Sequence, residues 1–255
     1  MTIFDAYSQY YNLLYRDKDY GGESSYVADI FEREKCGKKL LDLGCGTAKH
    51  AIELVDRGFD ILGVELSEQM LARALKAKSS ISPASKGRLR LVQGDACTFR
   101  AGEFFDIVSA LFHVVSYQTT NESLRGFFTT AAAHLRPNAT FLFDCWYGPA
   151  VLRTLPEPRM KTGQNDDCEV IRFATPRLRP NDNVVEVHYR ILVKSVDTGQ
   201  WAEFREQHDM RYLFLPELQL FASDCGFEKK EATEFLSGKA LSLDTWSACI
   251  VARRL

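Results

Sequence analysis

The chain has 255 residues, 45% of them hydrophobic and 26% charged, with a net charge of −2 and no run of like charge. That balance supplies core for one large domain and excludes the clustered Lys and Arg of a phosphate-neutralising surface, so nucleic acid is not the expected partner. Nothing approaches the ~18 to 20 consecutive apolar residues of a membrane span, and the opening MTIFDAYSQYY lacks the basic and apolar regions of a secretory leader. A cytoplasmic protein without membrane contact is expected. The seven cysteines are odd in number and form no CxxC pair, which reads as free thiols and no metal site.

In chain order, residues 3 to 20 carry Tyr7, Tyr10, Tyr11, Leu14 and Tyr15 at helical spacing before a polar turn. The spacing predicts an amphipathic helix that packs on the domain or closes over a ligand as a lid. Residues 23 to 34 read as a second helix with Tyr26, Ile30 and Phe31 inward. LLDLGCGTAKH (40 to 50) is a buried strand, a glycine turn and the start of a helix continued by Ile52, Val55 and Phe59. Glycine at 44 and 46 would let a ligand lie against the backbone, because no Cβ holds it off.

A second strand spans 59 to 65 and ends in Glu65, and Ser67 caps the helix after it. The third covers 88 to 93 and runs into Gly94-Asp95-Ala96. The fourth covers 104 to 111, and a helix over 121 to 135 stops at Arg136-Pro137-Asn138. The fifth is 139 to 144. Apolar strands alternating with helices predict a parallel sheet covered on both faces, with ligands at the carboxyl ends of its strands. Asp42, Gly44, Gly46, Glu65, Asp95 and Leu111 all fall there. A solvated acid beside a helix start is ordinary; three acids at successive strand ends point to a ligand.

After Pro149 the period changes to two. Val185, Val187, Tyr189, Ile191 and Val193 alternate with Glu186, His188, Arg190, Leu192 and Lys194, and Asp197-Thr198-Gly199 turns into a strand from 201 to 214. This predicts an antiparallel hairpin, with a further strand near 168 to 174. Pro216 opens a helix, and two strands, 227 to 235 and 244 to 253, close the chain. Trp201 and Trp246 read as packing, and His50 and His134 as helix residues with structural roles.

LLDLGCGTA, GVELSEQML, LVQGDA and LRPNATFLFD resemble the cofactor motifs of the class I S-adenosylmethionine-dependent methyltransferases, over roughly residues 38 to 144. The N-terminal YYNLLYRDKDY and the insertion resemble the small-molecule members, nucleotide-sugar N-methyltransferases and glycine N-methyltransferase relatives. The resemblance implies an α/β, Rossmann-like, mostly parallel seven-stranded sheet with helices on both faces. It divides one domain into a lid and helix (1–37), a cofactor core (38–146), an antiparallel insertion (147–215) and closing elements (216–255).

By the same resemblance, S-adenosylmethionine lies over Gly44, Cys45 and Gly46, with Asp42 tuning the turn. Glu65 takes the ribose, with Leu66 beside it in the cofactor site, Asp95 and Ala96 the adenine, and the Leu111 carbonyl the methionyl ammonium. Tyr11 and Tyr15 share a helical face, and the helix is expected to fold over bound cofactor with one of their hydroxyls near the methionyl end. A dinucleotide dehydrogenase would show G-x-G-x-x-G, and Gly44-Cys45-Gly46-Thr47-Ala48-Lys49 has no third glycine.

His113 stands just past the fourth strand and is the candidate base for an acceptor's proton; it could equally pack at a helix start. No Asn/Asp-Pro-Pro-Tyr/Phe sequence occurs there, which argues against adenine or glutamine amide as acceptor. Tyr11, Trp146, Tyr147, His208 and Arg211 are candidates for the acceptor pocket, with His208 and Arg211 on opposite faces of one strand. The expected partner is a small polar acceptor, a sugar or sugar nucleotide methylated at an amino or hydroxyl group; a homodimer is left open. A catalytically silent cofactor-binding module, and a protein or RNA methyltransferase, are the alternatives.

Overall fold

The computed structural model describes residues 8–255. Tyr7 and the part of the expected lid before Ser8 lie outside the described residues.

Each apolar run of the first half forms a strand. β1 (Lys39–Leu43), β2 (Asp60–Glu65), β3 (Leu89–Gln93) and β4 (Phe105–Ala110) are joined to β5 (Leu135–Trp146) in one sheet. Its order is β10-β11-β5-β4-β1-β2-β3, where β10 (Phe227–Glu234) and β11 (Ser247–Arg254) are the closing strands and β11 runs antiparallel to both its neighbours. The chain builds outward from β1 through β2 to β3, then returns to place β4 on the other side of β1. That reversal opens a crevice at the carboxyl ends of β1 and β4, the place where such sheets hold ligands.

Helices cover both faces. α2 (Tyr20–Arg33) and α3 (Lys49–Asp56) bury Phe31, Leu54 and Val55 with Phe59 on one side. α6 (Asn121–Ala133) and α8 (Leu215–Asp224) bury Phe127, Phe128 and Phe221 with Phe141, Phe143 and Phe227 on the other. α4 (Glu68–Ser79) is capped by Ser67, whose side chain accepts from the Met70 N–H, as expected.

The insertion is larger than a hairpin with one extra strand. β6 (Arg159–Gln164), β7 (Cys168–Arg179), β8 (Val184–Ser195) and β9 (Trp201–Arg211) form a separate four-stranded antiparallel sheet. β6 was not legible because RMKTGQ is a mostly exposed edge strand with no apolar alternation. Two short helices, α5 (Pro83–Arg88) and α7 (Gly148–Arg153), were equally silent. α5 buries no residue at all, so there is no periodicity to read.

Arg136-Pro137-Asn138 does not end a helix. α6 stops at Ala133, and these residues make an irregular entry to β5, where the pairing with β4 jumps from Phe105↔Leu135 to Ile107↔Thr140. Trp201, expected to pack, is 53% exposed. Trp246 does pack, its ring 5.9 Å from that of Trp146.

α1 (Ser8–Leu14) packs between α4 and the insertion sheet. Tyr10, Tyr11 and Leu14 are buried against Met70 of α4 and against Val170, Ile191 and Val193 of the insertion. The Tyr11 and Tyr15 rings lie on one face with centroids 4.8 Å apart.

Candidate active site

The turn after β1 is built by the backbone. The N–H groups of Gly44 and Cys45 both donate to the Val64 carbonyl, at 2.8 and 3.0 Å. Gly44 and Gly46 adopt φ of 78° and 57°, a region costly for residues with a Cβ. A Cβ at Gly44 would stand 2.6 Å from Val114, whereas at Gly46 it would meet nothing nearer than Met70 at 3.7 Å. The turn is therefore tight on one side and open at Gly46. The Cys45 side chain points back under Gly63, and burial holds its thiol far above the usual range, so Cys45 can serve a ligand only through its backbone.

Glu65, at the end of β2, binds this turn directly. One carboxylate oxygen accepts from Gly46 N–H at 2.8 Å and the other from Ser67 N–H at 2.9 Å. Burial raises its pKa even against those donors. Asp42, expected to tune the turn, instead accepts from the Ser109 hydroxyl of β4 at 3.0 Å. It is fully enclosed, and desolvation pushes its pKa up to about 6. Glu65 is the acid whose side chain is hydrogen-bonded to the turn.

Asp95 is exposed two residues beyond β3, and its carboxylate caps the Cys97 N–H at 2.8 Å. Ala96 beside it is half-buried. The Leu66 side chain is 59% exposed. Asp95, Ala96 and Leu66 lie along the same carboxyl edge as the turn.

Beyond β4, Leu111 is buried and the next two residues are left-handed, Phe112 at φ 67° and His113 at φ 64°. Two successive non-glycine residues in this region cost free energy that surrounding contacts must offset. Asp144 of β5 supplies such contacts. Its Oδ1 accepts from His113 N–H at 3.1 Å, and its Oδ2 lies 2.7 Å from His113 Nδ1 as an ion-pair contact rather than a linear hydrogen bond. Ser247 of β11 also donates to Oδ2, at 3.4 Å. Burial works against the Asp144 charge, but His113 outweighs it and the pKa is lowered. Asp144 was read only as a strand end; the rule used for Glu65 and Asp95, an acid closing an apolar strand, would have found it.

The inner face of the insertion sheet looks onto this edge. Arg172 of β7 donates to the Tyr15 hydroxyl at 3.2 Å and lies over the Tyr189 ring. His208 of β9 meets the Tyr117 hydroxyl at 3.0 Å through Nδ1 and Glu206 at 3.2 Å through Nε2. Trp146 stands beside His113, centroids 6.4 Å apart. Tyr147 bridges to Leu213 and packs into the core. Arg211 is buried and bonded to Asn121 and Glu217, so its expected pairing with an acidic acceptor has no geometric support. Arg172, Tyr189, Glu206 and Tyr117 were not singled out from sequence; a charge at an inward position of an alternating strand is the signal that marks Arg172 and Glu206.

Residues 40–138 match the family model for a methyltransferase domain. The whole chain overlays an S-adenosylmethionine-dependent methyltransferase from Clostridium acetobutylicum with a TM-score of 0.81, covering 98% of each at 19% identity. Residues 40–138 carry a methyltransferase domain, and the chain shares the fold of S-adenosylmethionine-dependent methyltransferases. It is 35% identical to dTDP-3-amino-3,4,6-trideoxy-alpha-D-glucopyranose N,N-dimethyltransferase of Streptomyces venezuelae over 146 residues, 57% of each chain. It is 28% identical to dTDP-3-amino-3,6-dideoxy-alpha-D-glucopyranose N,N-dimethyltransferase of Streptomyces fradiae, over 75% of this chain and 72% of that one.

The chain's own residues suit S-adenosylmethionine. S-adenosylmethionine carries an ammonium and a sulfonium, and the crevice is walled by the buried carboxyl groups of Asp42, Glu65 and Asp144. The open backbone at Gly46 leaves room for close approach. Among the described residues no group of His, Cys, Asp and Glu could hold a metal ion, and no helix is long and apolar enough to cross a membrane.

Proposed function

We propose that this chain is a methyltransferase that methylates the amino group of a nucleotide-linked sugar, with His113 accepting the proton. The observation that carries the reading is the His113–Asp144 pair, set where β4 and β5 open toward the inner face of the insertion, which carries Arg172 and His208. The two relatives named as aminosugar N,N-dimethyltransferases support the acceptor class.

S-adenosylmethionine supplies an electrophilic methyl on sulfur, so the acceptor must present an uncharged nucleophile in line with it. Glu65 holds the ribose hydroxyls, Asp95 and the Ala96 N–H the adenine, and the backbone of Gly44 to Gly46 the methionyl chain. The Leu111 carbonyl meets the ammonium. α1, with Tyr11 and Tyr15, closes the crevice against water. Trp146 and Tyr147 border the acceptor.

His113 Nδ1 faces Asp144, which leaves Nε2 for the acceptor. Bound S-adenosylmethionine would supply the methyl to the amine nitrogen, and His113 Nε2 would take the N–H proton and pass it to solvent. Asp144 stabilises the imidazolium without itself being protonated.

Incubation with methyl-labelled cofactor and dTDP-3-amino-3,6-dideoxy-D-glucose should add one or two methyl groups, read by mass. Tight cofactor binding without transfer to any aminosugar nucleotide would overturn the reading and leave a binding module.

A further inference from the structure

The turn that joins α1 to α2 carries a largely enclosed ammonium. Lys18 is fixed there by its backbone, its N–H donating to the Tyr15 carbonyl at 3.2 Å and its carbonyl accepting from Tyr20 N–H at 3.0 Å. Its side chain is only 13% exposed and donates to Glu23 of α2, itself 11% exposed. The other oxygen of Glu23 meets Nε2 of His50, on α3 just past the glycine turn, at 2.6 Å. Burial works against the Glu23 charge, but His50 and Lys18 outweigh it and its pKa is lowered. Lysine is almost never enclosed without a partner. A buried ionic cluster is a weak source of net stability, so what it holds in place matters more.

The ammonium reaches one step further. Lys18 Nζ lies 4.1 Å from the centre of the Phe112 ring, a cation–π contact. Tyr15 meets the same ring edge-on, centroids 5.4 Å apart. Phe112 is the first of the two left-handed residues after β4, and His113 is the second. A corner in that region persists only where its surroundings over-determine it. Asp144 holds the His113 half from β5. Lys18 and Tyr15 hold the Phe112 half from the other side.

We infer that Lys18 is a positioning residue: clamped by Glu23, its ammonium seats the Phe112 ring and thereby fixes the corner that aims His113. The inference rests on the reading of His113 as proton acceptor and adds the residue that links it to the α1–α2 turn. Order in that turn is then felt at the imidazole. The role requires a cation that can also donate to Glu23. Methionine at this position fills the volume and supplies neither, whereas arginine keeps both the charge and the donors and also stacks on aromatic rings.

The test follows the His113 ring by NMR in the full chain labelled at histidine, its signal assigned by loss in His113→Asn. His134, bonded elsewhere to Thr130 and Ala101, is the internal control. In Lys18→Met the His113 signal should shift or split while that of His134 stays, and Lys18→Arg should restore it. This arm needs no acceptor, so it decides whichever sugar is methylated. With dTDP-3-amino-3,6-dideoxy-D-glucose and labelled cofactor, kcat of Lys18→Met should fall about three- to thirtyfold, the range of one cation–π contact, with KM and cofactor affinity little changed. Lys18→Met leaves Glu23 with His50 alone, so Phe112→Leu gives a second route that keeps the Lys18–Glu23 pair. It should lower kcat alike, and the double variant should be no worse than either single one. An unmoved His113 signal in Lys18→Met overturns the inference, and so does an unchanged kcat in Phe112→Leu or losses that simply add. A loss of cofactor affinity with kcat unchanged would make Lys18 a cofactor ligand and overturn it too. If His113→Asn keeps its turnover while Lys18→Met moves the His113 signal, the proton-acceptor reading falls and the link between Lys18 and the corner stands.

Discussion

Asp144 and His113, 31 residues apart in sequence, meet through two contacts: Oδ1 holds the His113 backbone N–H at 3.1 Å, and Oδ2 lies 2.7 Å from its ring nitrogen. One carboxylate thereby fixes both a left-handed backbone and the ring it carries. His113→Asn should lower turnover by about 10²- to 10⁴-fold with little change in cofactor affinity. Asp144→Asn should lower it too, because the ring and the left-handed backbone of His113 lose the carboxylate that holds them. A fall below fivefold in His113→Asn would mean that alignment alone carries the step.

Asp42 gives a stability prediction with a definite sign. Its folded pKa of about 6 exceeds the ordinary value of about 3.9, so across that window the folded state binds more protons than the unfolded one. Stability from this group is full below about pH 4 and is lost as pH rises through about 6. Asp42→Asn keeps an oxygen for Ser109 and removes the charge. Its melting temperature should exceed that of wild type at pH 8, by an amount worth roughly 1 to 3 kcal/mol, and the gap should close at pH 4. Thermal melts showing a gap independent of pH would refute the assignment.

Glu65 and Asp95 should separate in binding. Glu65 is buried and also holds Gly46 and Ser67, so Glu65→Ala should cost about ten- to a hundredfold in cofactor affinity. Asp95 is exposed and already caps Cys97. Asp95→Ala should cost less, because the adjoining Ala96 N–H is untouched. Calorimetry giving equal losses would show that burial does not rank the two acids.

The helix over the crevice should respond to cofactor. Thr47 donates to Asn12 at 3.0 Å, and Arg172 to Tyr15, so α1 is tied to the glycine turn on one side and the insertion on the other. Amides of residues 10 to 15 should exchange more slowly with S-adenosylmethionine bound, since closure suppresses local opening. Equal protection with and without it would make α1 a fixed packing element.

The sequence by itself determined the parallel core and its binding edge. Buried strands on both faces read as unbroken apolar runs, and a glycine turn or an acid after such a run has few meanings, so Gly44, Gly46, Glu65 and Asp95 were visible from spacing. The helix cap at Ser67 was visible for the same local reason. What lacks local periodicity was not: the exposed edge strand β6, the unburied α5, and the irregular entry to β5 at Asn138. Only the tertiary structure decided which groups meet across the chain. It gave the turn to Glu65 rather than Asp42, turned Arg211 to Glu217, and brought Asp144 to His113 and His208 to the Tyr117 turn. Those pairings depend on sheet order and on how the insertion folds back over the edge, and one-dimensional spacing carries neither.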